Sequence, residues 1–197
     1  MTTPDAVHDA DFGDELTFGE LVFSDFARYR AVEPTWFRVL TRAVMLQGLA
    51  ATIVLRAQQR LSRRGHIKLA SLLRVASNIV WSADFVPGMR IGPGLYMPHP
   101  MGVVMGGGFR AGAGVTILQG FTAGAREPHG GTHGYATLCD GSTVSAHSVV
   151  LDGVTIGKDA LVGANTVVVK DVQERAVVFG VPAKRVATRE PDPTPDA

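Results

Sequence analysis

One histidine of the chain, His99, stands in a setting that suits acid–base chemistry. It lies in Tyr96-Met97-Pro98-His99-Pro100, where a proline on each side restricts the backbone and can hold the imidazole in one orientation. The nearest carboxylate in the same segment is Asp84, fifteen residues earlier. A histidine held by a carboxylate is the arrangement expected of a general base near neutral pH. The pair predicts proton abstraction, provided that the fold brings the two side chains together.

The elements that must position this pair repeat every six residues. An apolar residue occupies every sixth position in two runs, at Phe85, Ile91, Met97, Val103, Phe109, Val115 and Phe121, and then at Leu138, Val144, Val150, Ile156, Val162 and Val168. A period of two indicates a strand and a period of 3.6 a helix, whereas six is typical of a parallel β-helix built from hexapeptides. Because a three-sided coil of such steps returns after about eighteen residues, we expect Asp84 and His99 on neighbouring coils, within side-chain reach.

The residues before the repeat have a helical pattern. We expect a first helix ending near Tyr29, a second from about Pro34 to the Arg63-Arg64-Gly65 stop, and a third from about His66 to Trp81. The arginines at 56, 60, 63 and 64 are predicted to be a solvated helix end, with a membrane-surface motif as the alternative. The predicted organisation is a disordered N-terminus (1–19), an α-helical cap (20–83), a β-helix (84–187) with a protruding loop (122–137), and a disordered tail (188–197).

Composition excludes several functional classes. The net charge of +1 gives no electrostatic field for a nucleic-acid partner. The single cysteine, Cys139, cannot form an intrachain disulfide, and we expect it to be structural. The first twenty residues hold no Lys or Arg, unlike a signal peptide, and the longest apolar stretch, 43–55, is too short to span a bilayer. We therefore expect a cytoplasmic protein without a membrane partner.

Three stretches of the repeat resemble one family. Residues 84–94, 99–104 and 117–122 look like the serine O-acetyltransferase family of hexapeptide acyltransferases, and Gly180-Val181-Pro182-Ala183-Lys184 resembles the exit motif of hexapeptide acyltransferases more widely. The resemblance covers about residues 23–186. It implies a mainly β fold, a left-handed parallel β-helix of hexapeptide repeats with an N-terminal α-helical cap.

The resemblance also implies roles for individual residues. His99 would be the general base and Asp84 the acid that orients it, in a direct transfer of an acetyl or other short acyl group from acyl-CoA to an acceptor hydroxyl, without an acyl-enzyme. No metal is expected. The residues that would contact CoA are Gly124, Ala125, Ala146, Ala164 and Lys184.

On the acceptor side the chain departs from the family pattern. Glu33 stands where the family has an aspartate that contacts serine, and Pro98 replaces an acid just before the histidine. The Arg-His pair of the family's loop falls on His133 and Gly134, or on Gly134 and Tyr135 after a one-residue shift. The arginine that would hold a carboxylate is missing, so the acceptor is open between serine, a related amino-acid-like compound, and another small alcohol or amine.

Two other functions use the same type of solenoid. A zinc enzyme of the carbonic-anhydrase type needs three converging histidines, for which His99, His129 and His133 are the candidates, and a non-catalytic scaffold needs none. The family resemblance implies a homotrimer with shared active sites, and the helical cap of this group can pair two trimers into a dimer of trimers. The end Thr194-Pro195-Asp196-Ala197 lacks the isoleucine tail of family members that dock the next enzyme of cysteine synthesis, which argues against such a complex.

Overall fold

The computed structural model describes residues 12–29, 32–124, 134–151 and 153–190. Within these ranges, four helices form an N-terminal cap and short strands follow as a solenoid. The helices are α1 (Phe18–Tyr29), α2 (Trp36–Met45), α3 (Gln47–Arg63) and α4 (Ile67–Trp81). The predicted fold class is confirmed. Of the ends predicted to be disordered, residues 1–11 and 191–197 lie outside the described residues, whereas α1 begins inside the predicted N-terminal tail.

The single helix predicted between Pro34 and Arg63 is two helices, α2 and α3. Thr35 caps α2 by accepting a hydrogen bond from the backbone N–H of Arg38 (3.3 Å). Leu46 then takes extended dihedrals, φ −109° and ψ 90°, which end α2 and start α3. The sequence has neither a proline nor two adjacent glycines at this break, and the apolar pattern continues across it. The break is therefore not visible in the sequence.

The apolar residues of α2 and α4 are largely exposed. Phe37 and Val44 of α2 are 78% and 85% exposed, and Leu72 and Ile79 of α4 are 65% and 78% exposed. Their apolar faces are therefore only partly used for packing within one chain. No helix in the described ranges is long and apolar enough to cross a membrane.

The strands form the three sides of a left-handed parallel β-helix. One side contains β1, β3, β6, β9 and β12, the second β2, β4, β7 and β10, and the third β5, β8, β11, β13 and β14. Only the last pair, β13 with β14, is antiparallel among the described strand pairs. The strands are β1 (Asp84–Phe85), β2 (Arg90–Ile91), β3 (Val104–Met105), β4 (Arg110–Ala111), β5 (Thr116–Ile117), β6 (Thr122–Gly124), β7 (Thr137–Leu138), β8 (Thr143–Val144), β9 (Val149–Leu151), β10 (Thr155–Ile156), β11 (Leu161–Val162), β12 (Val167–Val168), β13 (Ala176–Phe179) and β14 (Lys184–Thr188).

The first coil is two residues longer than the regular repeat. Asp84 pairs with Val104, a separation of 20 residues, whereas Val104 pairs with Thr122, a separation of 18. Tyr96 still pairs with Thr116, again 20 residues away. The two additional residues therefore lie between Tyr96 and Val104, in the segment that contains His99.

These residues form a bulge at one corner of the coil. The N–H of Ile117 bonds to the Tyr96 carbonyl and the N–H of Gly120 bonds to the Met101 carbonyl, both at 2.9 Å. Four residues separate the two acceptors, whereas two residues separate the two donors on the next coil. We call Pro98–Pro100 the His99 bulge.

The apolar period conceals this bulge, because two positions of each hexapeptide point inward. Phe85 pairs with Met105 rather than with Val103, yet all three side chains are fully buried. The apolar run changes from one inward position to the other between Met97 and Val103 and keeps its spacing of six. The first coil is therefore not the uninterrupted eighteen-residue turn that the sequence predicts.

A buried ion pair fastens the cap to the first coil. Asp25 of α1 and Arg56 of α3 make two hydrogen bonds of 2.7 and 2.8 Å, and both side chains are 0% exposed. Arg56 also donates to the carbonyls of Ile91 (2.6 Å) and Gly92 (2.7 Å), and Asp25 accepts from the N–H of Leu95 (2.8 Å). Burial raises the pKa of Asp25, and the charge of Arg56 opposes this shift. The prediction that Arg56 belongs to a solvated helix end is wrong.

Candidate active site

His99 is exposed on the bulge, and Pro100 beside it is buried. Its imidazole has no hydrogen-bond or ion-pair partner among the described residues. Two prolines restrict the backbone on either side of it. An exposed imidazole on a restrained backbone is available to a ligand, as a general base must be.

Helix α3 holds the bulge in position. Gly48, the second residue of α3, is buried, and a Cβ atom placed on it would lie 2.7 Å from the carbonyl oxygen of Pro98 and closer still to that of Met97. The helix backbone therefore lies directly on the backbone of the bulge. The N–H of Met97 also donates to the hydroxyl of Tyr29 in α1 (3.3 Å). The cap thus helps to fix where His99 stands.

Asp84, the predicted partner of His99, is bound to Arg74 of α4 instead. The Arg74 guanidinium donates to both carboxylate oxygens, at 2.5 and 2.8 Å, in the bidentate geometry that favours this pairing. Both side chains are partly exposed, 24% for Asp84 and 40% for Arg74. The structure therefore does not contain the Asp84–His99 hydrogen bond that the sequence predicts.

The two predicted catalytic residues nevertheless adjoin the same corner. The N–H of Asp84 bonds to the carbonyl of Val103 (2.8 Å), and the N–H of Gly102 bonds to the carbonyl of Ser82 (3.1 Å). The backbone of Asp84 therefore lies beside the end of the His99 segment. The side chains of Asp84 and His99 do not hydrogen-bond to each other, because the Asp84 carboxylate is bound by Arg74.

Of the predicted acceptor-site residues that the structure describes, neither Glu33 nor Tyr135 makes a hydrogen bond with His99. Glu33 is exposed, and its backbone carbonyl accepts a hydrogen bond from the Arg38 guanidinium (2.7 Å). Tyr135 is 59% exposed, and its ring lies against the backbone of Gly108. His133 lies outside the described residues.

The predicted CoA contacts follow the solenoid toward its C-terminal end. Gly124 ends β6, and the carbonyl of Ala146 accepts a hydrogen bond from the N–H of Asn165, which places Ala146 and Ala164 on adjacent coils. Lys184 begins β14 and lines a cavity of about 440 Å³ together with Lys170 and Arg185. Ala125 lies outside the described residues. Lys184 is exposed, as a phosphate ligand must be.

Cys139 is buried, and burial together with the charge of Asp140 raises the pKa of its thiol to about 11. Such a thiol is a poor nucleophile at neutral pH. No group of three metal-ligating side chains is present in the described part of the chain, but His129 and His133 fall outside it.

Two residues that shape this site were missed in the sequence. Arg74 is one of two charged residues in the apolar helix α4, and it stands ten residues before Asp84. A charged residue in an otherwise apolar helix was the signal that could have indicated an ion-pair partner nearby. Gly48 sits in an apolar helical run, where a glycine costs helix stability and therefore indicates a close approach.

Comparison with known proteins gives consistent results. No family model matches the chain. Serine acetyltransferase from Helicobacter pylori (strain J99) is 31% identical over 143 residues, which are 73% of this chain and 83% of that protein. Serine acetyltransferase from Mycobacterium tuberculosis is 37% identical over 131 residues, 66% of this chain and 57% of that protein. Serine acetyltransferase 2 from Arabidopsis thaliana is 31% identical over 84% of this chain and 51% of its own length. The chain thus spans about half the length of several curated relatives that it matches.

Solved structures agree with the sequence comparison. The crystal structure of Neisseria gonorrhoeae serine acetyltransferase superposes with a TM-score of 0.79 at 30% identity, covering 90% of this chain and 68% of that one. Brucella abortus serine acetyltransferase in complex with coenzyme A gives a TM-score of 0.77 at 25% identity, covering 86% of this chain and 68% of that one. Since the Helicobacter protein matches at 31% identity over most of its length, the chain belongs to the serine acetyltransferase family of hexapeptide-repeat proteins.

Proposed function

We propose that this protein is a CoA-dependent acyltransferase that moves an acetyl group from acetyl-CoA to the hydroxyl of serine or a related amino-acid-like acceptor. One observation carries the proposal: His99 is exposed, unpartnered within the described residues, and mounted on a bulge that α3 and two prolines restrain. Family membership supports the choice of donor and acceptor, because the Brucella relative was solved with coenzyme A and the Neisseria relative with serine.

In the proposed reaction, His99 removes the proton from the acceptor hydroxyl as the oxygen attacks the thioester carbonyl. The tetrahedral intermediate then collapses, the carbon–sulfur bond breaks, and an acetyl ester is formed. The proton held by His99 passes to the departing CoA thiolate. No side chain is acylated, in keeping with the poor nucleophilicity of Cys139.

Asp84 takes the role of the orienting acid in this proposal. For this, one carboxylate oxygen must accept a hydrogen bond from the His99 imidazole while the other stays bound to Arg74. This rearrangement is feasible because both partners of the ion pair are partly exposed. Arg74 then holds the carboxylate at the corner where His99 needs it. Asp84→Asn should lower kcat less than His99→Ala does, because it removes the orientation of the base and leaves the base itself.

Pro98, the residue before His99, bears on the identity of the acceptor. Pro98 cannot supply the negative charge that the family places before its histidine, and its carbonyl packs on Gly48 instead of facing a ligand. This observation favours a second candidate, transfer from acetyl-CoA to a non-serine alcohol or amine. A pocket without a buried charged partner discriminates weakly for a free zwitterion.

A thiol-release assay tests these proposals. Wild-type protein is incubated with acetyl-CoA and a panel of serine, homoserine, other small alcohols and amines, and a water blank. We expect turnover with at least one acceptor, and a loss of about 10²–10⁴-fold in kcat for His99→Ala. His66→Ala, which removes another exposed histidine, is the matched control. Turnover by His99→Ala equal to wild type would remove His99 from the mechanism, and no turnover with any acceptor would favour a non-catalytic scaffold.

We also propose that the protein assembles as a homotrimer, with pairing of trimers through the cap as a further step. The exposed apolar residues of α2 and α4, such as Phe37 and Ile79, support an assembly that covers them. Sedimentation equilibrium at micromolar concentration should give a mass three or six times that of the 20.9 kDa chain. A monomer would exclude a site shared between subunits.

A further inference from the structure

Three exposed arginines meet where helix α3 ends. Arg60, Arg63 and Arg64 line a cavity of about 160 Å³, whose opposite wall comes from the first turn of α1. We call these three residues the α3 arginine cluster. One water molecule needs only about 15 Å³ of such space, so the cavity has room for a small polyatomic anion.

The floor of this cavity already has its hydrogen bonds. Arg56 lies there, and all five of its N–H groups are used, by Asp25, Gln59 and two backbone carbonyls. Gln59 accepts from Arg56 through Oε1 (2.9 Å) and donates through Nε2 to the carbonyl of Ile91 (3.2 Å). A ligand in the cavity therefore has to be bound by the rim, which is the α3 arginine cluster.

The rim carries more positive charge than its neighbours neutralise. Within the described ranges, the side chains of Arg60 and Arg64 have no hydrogen bond or ion pair, and Arg63 pairs with Asp14 at 2.9 Å. Asp14 is 48% exposed and also pairs with Arg90, so one carboxylate serves two guanidinium groups. The carbonyl end of α3 offsets only about half a charge. An excess of positive charge therefore remains at the cavity.

This excess acts on Arg63. Burial lowers the pKa of Arg63, and the positive charge of Arg56 lowers it further. An arginine nevertheless stays charged at neutral pH, so proton loss does not relieve the repulsion. An anion bound in the cavity would relieve it.

We propose that the α3 arginine cluster binds a phosphate group, and that Asp14 is the internal carboxylate that competes with this ligand. Planar guanidinium groups bind phosphate oxygens through paired N–H bonds, and a phosphate dianion brings more charge than one carboxylate. Free phosphate and the phosphate of a lipid headgroup share this chemistry, and the test separates them. Arg63 lies fifteen residues from Gly48, about 22 Å along α3, so the proposal does not depend on the proposed acetyl transfer.

The first arm of the test is titration calorimetry of the full chain with inorganic phosphate, at neutral pH and at an ionic strength kept constant with chloride. Arg60→Gln/Arg64→Gln removes two guanidinium groups and no side-chain hydrogen bond of the described residues, so the variant should fold like wild type. Arg42→Gln/Lys158→Gln is the matched control, because it removes two exposed charges outside the cavity.

We expect saturable phosphate binding by wild type. The dissociation constant should rise at least about tenfold in Arg60→Gln/Arg64→Gln and stay within about twofold in the control, because only the former loses charged hydrogen-bond donors at the site. Asp14→Asn should bind phosphate about two- to fivefold more tightly than wild type, because the competing carboxylate is gone. Unchanged or weaker binding by Asp14→Asn would overturn the role of Asp14.

The second arm is cosedimentation with vesicles of phosphatidylcholine, with and without phosphatidic acid. Binding that requires phosphatidic acid and is lost in Arg60→Gln/Arg64→Gln, but not in the control, would support a lipid headgroup as the ligand. Binding of inorganic phosphate without binding to either vesicle would support free phosphate.

Three outcomes would overturn the inference: no saturable binding in either arm, equal affinities of wild type and Arg60→Gln/Arg64→Gln, or an equal loss in the control variant. An equal loss would mean that the net charge of the protein, and not the cavity, attracts the anion. None of these outcomes bears on the proposed acetyl transfer, which the thiol-release assay measures separately.

Discussion

Replacement of Gly48 by alanine should damage the site without touching any predicted catalytic residue. The added Cβ would stand 2.7 Å from the Pro98 carbonyl oxygen, whereas ordinary contacts of this kind begin at 3.4 Å. Helix α3 and the bulge must therefore separate by about 0.7 Å or more. The carbonyl oxygens of Pro98 and Met97, which the Cβ would meet, are backbone atoms that cannot rotate away. Overpacking of this kind costs about 1–3 kcal/mol.

The chain offers a closely matched control in Gly19. It is the second residue of α1, as Gly48 is of α3, but its Cβ would meet only the Trp36 ring at an ordinary 3.5 Å. Alanine raises helix propensity equally in both, by up to about 1 kcal/mol. The difference between the two variants in free energy of unfolding therefore isolates the collision, and we expect about 1–3 kcal/mol against Gly48→Ala.

Urea denaturation followed by circular dichroism measures this difference, and the thiol-release assay measures the effect on turnover. Because His99 follows Pro98 directly, displacement of the bulge by about 1 Å should lower kcat by up to about 10²-fold. Gly19→Ala should leave kcat unchanged. If both variants match each other in unfolding free energy and in kcat, then α3 does not position the bulge, and the reasoning fails.

Two further predictions concern buried groups. Asp25→Ala should lower the free energy of unfolding in urea by about 3–5 kcal/mol, because it leaves the Arg56 charge buried and unpaired. The double variant Asp25→Leu/Arg56→Met should recover a large part of this loss. A loss below about 1 kcal/mol in Asp25→Ala would contradict a stabilising role of the buried ion pair. Cys139 should react with a thiol reagent at pH 8 far more slowly in the folded than in the urea-unfolded protein, because its thiol, with a pKa of about 11, is protonated at that pH. Equal rates in the two states would show that the thiol is accessible and unshifted.

The solenoid was predictable because its burial pattern is local. Each six-residue step places apolar side chains inside a narrow coil, and Val144, Val150 and Ile156 repeat this without reference to distant parts of the chain. The helical cap was predictable for the same reason, because the apolar periodicity that indicates a helix lies within the helix itself. His99 was chosen as the candidate base on local grounds too, since it lies between two prolines in the first coil, and its role stays a prediction.

The sequence did not predict the register of that coil. Each hexapeptide has two inward positions, and both accept apolar residues equally well. Val103, eighteen residues after Phe85, therefore continues the six-residue period, although the strand partner of Phe85 is Met105. A bulge of two residues therefore leaves no trace in the hydrophobic period. The bulge shows in the strand pairing, as in Phe85 with Met105 and Tyr96 with Thr116, and such pairing is a relation between coils.

Sequence by itself determined the coil, the cap and the candidate histidine, because these depend on which residues are apolar and on the stiffness of proline. Tertiary structure decided which charged groups meet. Arg56 was expected in solvent and is buried against Asp25, and Asp84 was expected beside His99 and is bound by Arg74. The physical reason is that an ion pair depends on distances of a few ångströms between side chains on separate elements. Those distances are set by how α3 and α4 dock on the first coil, and no local pattern records that docking.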